Sequence, residues 1–156
     1  ATIQLDFSMP EKFGLQYIGR DDKPRRPVMI HRVVYGSMER FFGILVEHYA
    51  GAFPLWLSPV QVSLIAIADR HRGYAEKVAR QLRAAGLRVF LDIRNETVSH
   101  KVREAQLQKI NYILVVGDKE KKQGTVTVRL RNGKVAGAVK VKKLVEKLLK
   151  EVREKK

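Results

Sequence analysis

Cysteine is absent from the 156-residue chain, which excludes a disulfide framework, a thiol nucleophile and any Cys-based metal site within it. No apolar run approaches the ~20 residues that a membrane span needs. The first residues, Ala1-Thr2-Ile3-Gln4, carry neither the basic flank nor the apolar core of a signal peptide. A soluble cytoplasmic protein with no membrane partner is therefore expected. Glycine clusters are missing too. The turn Ala68-Asp69-Arg70-His71-Arg72-Gly73 holds one glycine, so it is neither a dinucleotide fingerprint nor a P-loop. No serine sits in a nucleophile elbow, and no two of the four histidines have the i, i+4 spacing of a zincin helix. These gaps argue against self-contained catalysis by residues 60–156.

Acidic side chains are also scarce. Sixteen Asp and Glu stand against 31 Lys and Arg, a net charge of +15 with a pI near 10.3. The imbalance is local: residues 1–50 hold 7 basic and 6 acidic side chains, residues 51–156 hold 24 and 10. A polyanionic partner for the second part follows, and nucleic acid is the commonest. A lysine-rich solubilising surface, as in a thermophile, is the competing reading. Hydrophobic residues at 45% suffice for a packed core.

Residues 1–50 read as antiparallel β followed by one helix. Thr2, Gln4 and Asp6 alternate with Ile3, Leu5 and Phe7, which predicts a strand with one polar face. Further strands are expected over 13–18 and 28–34, with a turn at Asp21-Asp22-Lys23-Pro24. Met38, Phe41, Phe42, Leu45 and Tyr49 form the apolar stripe of a helix starting near Ser37. Three strands and a helix close no core alone, so this part is expected to be the end of a larger domain. Residues 51–59, with two prolines, read as a linker.

Residues 60–156 read as a complete α/β domain, a mixed sheet flanked by three helices. Strands are predicted at 60–68, 87–93 and 112–116, with helices over 73–85 and 98–109 between them. A hairpin follows at 125–131 and 135–139, its Asn132-Gly133 turn suited to type I′. The chain closes with an amphipathic helix carrying Val141, Leu144, Val145, Leu148, Leu149 and Val152 on one face. Arg103 and Lys109 make the second helix basic, and Thr125, Thr127, Arg129 and Arg131 share one strand face.

The segment from Arg26 to Phe41 holds the one constellation suited to an anion. A strand passes through Gly36-Ser37 into a helix whose first turn carries Glu39 and Arg40. Free N–H groups there, with a guanidinium beside them, favour phosphate. An Arg paired with a surface carboxylate would look the same.

This segment, with His31 ahead of Gly36-Ser37-Met38-Glu39-Arg40, resembles motif 3 of class II aminoacyl-tRNA synthetases in its threonyl form. Ala1–Phe7, Phe53-Pro54-Leu55-Trp56-Leu57-Ser58-Pro59 and Gly117-Asp118-Lys119-Glu120 fit the same family, nearly end to end. The resemblance implies that Arg40 binds the ATP γ-phosphate in catalysis. It implies that His31 is one of three protein ligands of a zinc ion, with a Cys and a His expected upstream of residue 1. Thr2 and Gln4 would line the threonine and adenylate pocket, while Ser37 would contact the adenylate or cap its helix. Residues 60–156 resemble the anticodon-binding domain shared by the threonyl, prolyl, histidyl and glycyl synthetases. Asn95, Arg103, Glu120 and Arg129 match positions that contact anticodon bases. For each, a solvated surface role is the rival, and for Glu120 a salt bridge to Lys119, Lys121 or Lys122.

The resemblance thus implies part of a threonine–tRNA ligase, whose whole protein uses ATP with Mg, charges tRNA-Thr and forms a homodimer. This chain would bind tRNA without charging it. The first alternative is a non-catalytic RNA-binding or polymerase-accessory paralogue. The second is a small-ligand-binding α/β domain.

Overall fold

The computed structural model describes residues 1–155, and the chain divides into two compact units, one ending at His48 and one beginning at Tyr49.

In the first unit β1 (Thr2–Asp6) pairs antiparallel with β4 (Met29–Val33), and β2 (Tyr17–Ile18) pairs with β3 (Pro24–Arg25). The expected strand over 13–18 shrinks to its last two residues because the closing turn of a short helix, α1 (Ser8–Lys12), runs on through Leu15, the N–H groups of Phe13, Gly14 and Leu15 donating back to Met9, Glu11 and Pro10. Asp6 Oδ1 accepts from the N–H groups of Ser8 and Met9 at 2.9 Å each, which starts that turn. Helix α2 (Met38–Tyr49) forms as the apolar stripe predicts, yet none of its residues is buried. Ile3, Leu5, Ile30 and Phe42 are also exposed, and Pro10 is the one buried residue among those described in this unit.

The second unit is built on a five-stranded sheet in the order β6-β5-β7-β8-β9. Its strands are β5 (Val62–Ala66), β6 (Val89–Asp92), β7 (Tyr112–Val116), β8 (Thr125–Leu130) and β9 (Val135–Lys140). β5 runs parallel to both β6 and β7, and the pairs β7–β8 and β8–β9 are antiparallel. Every residue of β5 and β7 is buried, as continuous apolar runs require. Helices α3 (Arg72–Ala84) and α6 (Val141–Arg153) share one core with Leu64, Leu114, Val126 and Val128. Helix α4 (Val98–Leu107) packs Val102 and Ala105 against Ile65, Ile113 and Val115 on the other face.

Four local differences from expectation have physical causes. A short helix, α5 (Asp118–Gln123), lies between β7 and β8; it lacks apolar periodicity and is closed by Gly124 in the left-handed region at φ 65°. The hairpin turn is not type I′, since Gly133 has φ 84° but Asn132 is not among the residues at positive φ. Gly133 N–H donates to Leu130 O and Leu130 N–H to Lys134 O, both at 2.9 Å, so the loop is a type I turn with a left-handed third residue. Helix α4 ends at Leu107, and Lys109 stands outside it at φ 56° with its ammonium on the Ala50 carbonyl. Residues 51–59 do not hang free: Leu55 is fully buried in the α3–α6 core. The Phe53 carbonyl accepts from Arg131 Nη1 at 2.7 Å, Asn111 Nδ2 at 3.0 Å and Ser58 Oγ at 3.3 Å.

Candidate functional site

In the first unit the β1–β4 register sets Gln4 opposite His31 and Thr2 opposite Val33. Thr2, Gln4, Asp6 and His31 therefore share one face of the ribbon. His31 Nε2 lies 3.2 Å from Asp6 Oδ2. The Met9 N–H, then the His31 ring, hold the Asp6 carboxyl below the usual range against a partial desolvation. Ser37 caps α2: its Oγ accepts from the Arg40 N–H at 3.3 Å and donates to Glu39 Oε2 at 2.6 Å. The Arg40 side chain is exposed and makes no hydrogen bond or ion pair among the described residues. Among those residues no side-chain hydrogen bond or ion pair joins Ser37 or Arg40 to the face that carries His31. Among the described residues no three His, Cys, Asp or Glu side chains converge on one point, so His31 is here a single candidate ligand rather than part of a complete metal site.

In the second unit the carboxyl ends of β5, β6 and β7 form an edge of three loops. Asn95 is exposed in the loop after β6 and lines a 210 Å³ cleft with Ala66, Ile67, Asp69 and Lys101. The loop is anchored by Asp92, buried at the end of β6, which accepts from Arg94 Nη2 at 2.6 Å and Nε at 3.0 Å. Arg94 holds the Asp92 carboxyl below its usual range, and the Lys101 ammonium, 3.9 Å away, adds to this.

Loops after β5 and β7 are joined by a group that sequence reasoning missed. His71, 1% exposed, accepts the Ala68 N–H at Nδ1 (3.2 Å), so its Nε2 carries the proton toward Asp118 Oδ1 at 3.0 Å. Arg70 Nη2 donates to the other Asp118 oxygen at 2.7 Å. Arg70 first, and His71 second, bring the Asp118 carboxyl down to about 2. No local pattern could reveal a pair separated by 47 residues, although Asp118 stands inside the Gly117–Glu120 match.

Two residues further on, Glu120 is half-buried and pairs with none of Lys119, Lys121 and Lys122 in the ion pairs of the structure. Its Oε2 accepts from the Gly117 N–H at 2.9 Å and its Oε1 from Thr127 Oγ1 at 2.7 Å. Desolvation pushes this carboxyl up, but the Thr127 hydroxyl and the backbone donors, with the Lys119 charge adding to them, outweigh it and leave it lowered. Each oxygen keeps a lone pair for a further donor.

Arg129 lies opposite Ile113 and Thr127 opposite Val115, both partners belonging to the core beneath α4. Arg129, Thr127 and hence Glu120 stand on the α4 side of the sheet, where Arg103 is exposed on α4 itself. Arg129 Nε is buried without a hydrogen-bond acceptor. Donors at Arg103 and Arg129, with an acceptor at Glu120, can meet the edges of unpaired bases.

A family profile described as an anticodon binding domain matches residues 61–151. Over 99% of its length the chain is 60% identical to a threonine–tRNA ligase of Carboxydothermus hydrogenoformans, across 24% of that protein. Over 97% of the chain it is 56% identical to the Thermotoga maritima protein of the same name, again across 24%. The chain thus spans about a quarter of the length of the curated relatives it matches. Among solved structures, the RNA binding domain of threonyl-tRNA synthetase from Cryptosporidium parvum Iowa II superposes at a TM-score of 0.71. That match has 38% identity and covers 96% of this chain and 38% of the other. Prolyl-tRNA synthetase from Cryptosporidium parvum matches at 0.66 with 20% identity, over 93% of this chain and 31% of that one, a likeness of fold alone.

Proposed function

The chain belongs to the anticodon binding domain family, and from that premise we propose that residues 60–156 read the anticodon of tRNA-Thr for a threonine–tRNA ligase. Asn95, Arg103, Glu120 and Arg129 are the proposed base contacts. The observation that carries this reading is the gathering of Arg103, Arg129 and Glu120 on the α4 side of the sheet, with Arg129 Nε buried and unsatisfied. An orphaned buried donor costs free energy unless a ligand supplies the acceptor. The net +14 of residues 51–156 draws the phosphate backbone, while the four side chains select the bases.

Residues 1–50 are proposed as the motif 3 end of the catalytic domain of the same ligase. Arg40, unpaired at the start of α2, suits the γ-phosphate of ATP with its Mg. Thr2 and Gln4, beside His31 on one ribbon face, suit the wall of a threonine pocket. A zinc site at His31 would draw its two other ligands from outside this chain. The whole ligase is proposed to act in the cytoplasm as a homodimer. The chain alone would show no threonine-dependent ATP–pyrophosphate exchange, because motifs 1 and 2 are not in it.

The test is titration of threonine anticodon stem-loops, native and base-swapped, with Glu120→Ala and Glu120→Gln variants at several salt concentrations. Loss of the acceptor in Glu120→Ala should weaken discrimination at one anticodon base by ~1–3 kcal/mol, with the salt slope nearly unchanged. Glu120→Gln keeps one acceptor oxygen and should lose less. An unchanged native-to-swapped ratio in Glu120→Ala would end the assignment of Glu120 as a base reader.

A further inference from the structure

Arg94 ties two separate elements at the second unit's edge to each other, β6 through Asp92 and α4 through Glu104. Its guanidinium holds both oxygens of Asp92, and its backbone N–H donates to Asp92 Oδ1 at 3.1 Å. The same Nη2 reaches Glu104 Oε2 on α4 at 2.5 Å. Asp92 is 2% exposed at the end of β6, so the fork is fixed at its base. In sequence Asn95 follows Arg94, and Glu104 follows Arg103. One side chain therefore bolts the Asn95 loop both to the strand behind it and to the helix that bears Arg103. Lys101 also faces Asp92, but through a single 3.9 Å contact that defines no orientation. An ion pair at a surface contributes little to stability, whereas a bidentate fork on a buried carboxylate fixes geometry.

We propose that Arg94 is a positioning residue for anticodon readout: through Asp92 and Glu104 it sets Asn95 against Arg103 before RNA arrives. The inference rests on the reading of Asn95 and Arg103 as base contacts. A loop ordered in advance loses less entropy on binding the matched base. It also gives a mismatched base no adaptable loop to settle into.

The test is a double-mutant cycle between Arg94→Ala and Asn95→Ala in the full chain. Its readout is the affinity ratio of native to base-swapped anticodon stem-loops at several salt concentrations. Arg94→Ala should lower that ratio about tenfold, and the double variant should fall no further than Asn95→Ala alone. Arg94→Lys should not restore the ratio, because one ammonium cannot span both carboxylates as the planar fork does. Glu104→Gln leaves the Asp92–Arg94 pair in place; it should give part of the same loss and decides the matter if Arg94→Ala does not fold. Additive losses would overturn the proposal. So would equal weakening for all loops with a flatter salt slope, which would make Arg94 a phosphate contact. If Asn95→Ala lowers the ratio and Arg94→Ala does not, positioning fails while the anticodon reading stands. If Asn95→Ala leaves the ratio unchanged, that reading fails for Asn95 and the proposal falls with it.

Discussion

Asp118 shows how a single carboxylate can hold two loops in register. Its oxygens take one donor from Arg70 and one from buried His71, and its carboxyl is lowered from 3.8 to about 2. A folded value below the unfolded one means stability that is complete above 3.8 and is lost as pH falls through about 2. Asp118→Asn should therefore lower the melting temperature at neutral pH, with the gap to the parent closing as the pH falls from ~4 to ~2. Thermal unfolding followed by circular dichroism across that range measures it. A gap constant with pH would mean that the ionised carboxylate is not what the loops depend on.

The elements differ in how much of them could be read from sequence, and the reasons are physical. β5 and β7 were legible because burial on both faces leaves a continuous apolar run. α5, with the sequence Asp-Lys-Glu-Lys-Lys-Gln, has no apolar side to betray it; it exists because Glu120 reaches back to the Gly117 N–H and Gly124 ends it. The polar face of β1 was legible from alternation, but the meeting of Gln4 with His31 depends on a register that no local pattern encodes. The hairpin was legible as a turn and not as a turn type. Its Asn132 stays at negative φ while Gly133 alone enters the left-handed region. Gly133→Ala should then cost about 1–2 kcal/mol, since a Cβ in that region is strained. The nearest atom to that Cβ is Gln106 Nε2 at 3.6 Å, an ordinary contact, so the loss would come from the backbone rather than from a clash. Urea unfolding of Gly133→Ala against Gly133→Asn separates these causes, because asparagine tolerates the left-handed region better.

At the scale of the whole molecule, the lysines of α6 and the proposed base contacts lie on opposite sides of the sheet. α6 packs Leu144 and Leu148 into the α3 side of the sheet and leaves Lys142 and Lys143 exposed, while Arg103 and Arg129 stand on the α4 side. Lysines on α6 therefore attract RNA without reading it. Replacing Lys142 and Lys143 together by alanine should weaken native and base-swapped stem-loops by the same factor and flatten the salt dependence. Titrations at several salt concentrations check this, and a loss confined to the native loop would bring α6 into the reading surface. The first unit presents the opposite chemistry, near-neutral with Ile3, Leu5 and Phe42 exposed. Among the described residues, no helix of either unit is long and apolar enough to cross a membrane.

The three-fold hold on the Phe53 carbonyl has a consequence for anyone recombining genes of this family. The proline-bearing stretch invites a crossover at residue 60, where the strand pattern begins. A chimera joined there would inherit Asn111 and Arg131 from one parent and the carbonyl they grip from another. It would also seat a foreign side chain where Leu55 is sealed into the core. The heritable module on the downstream side therefore starts before Phe53, and a crossover upstream of it keeps these contacts within one parental lineage.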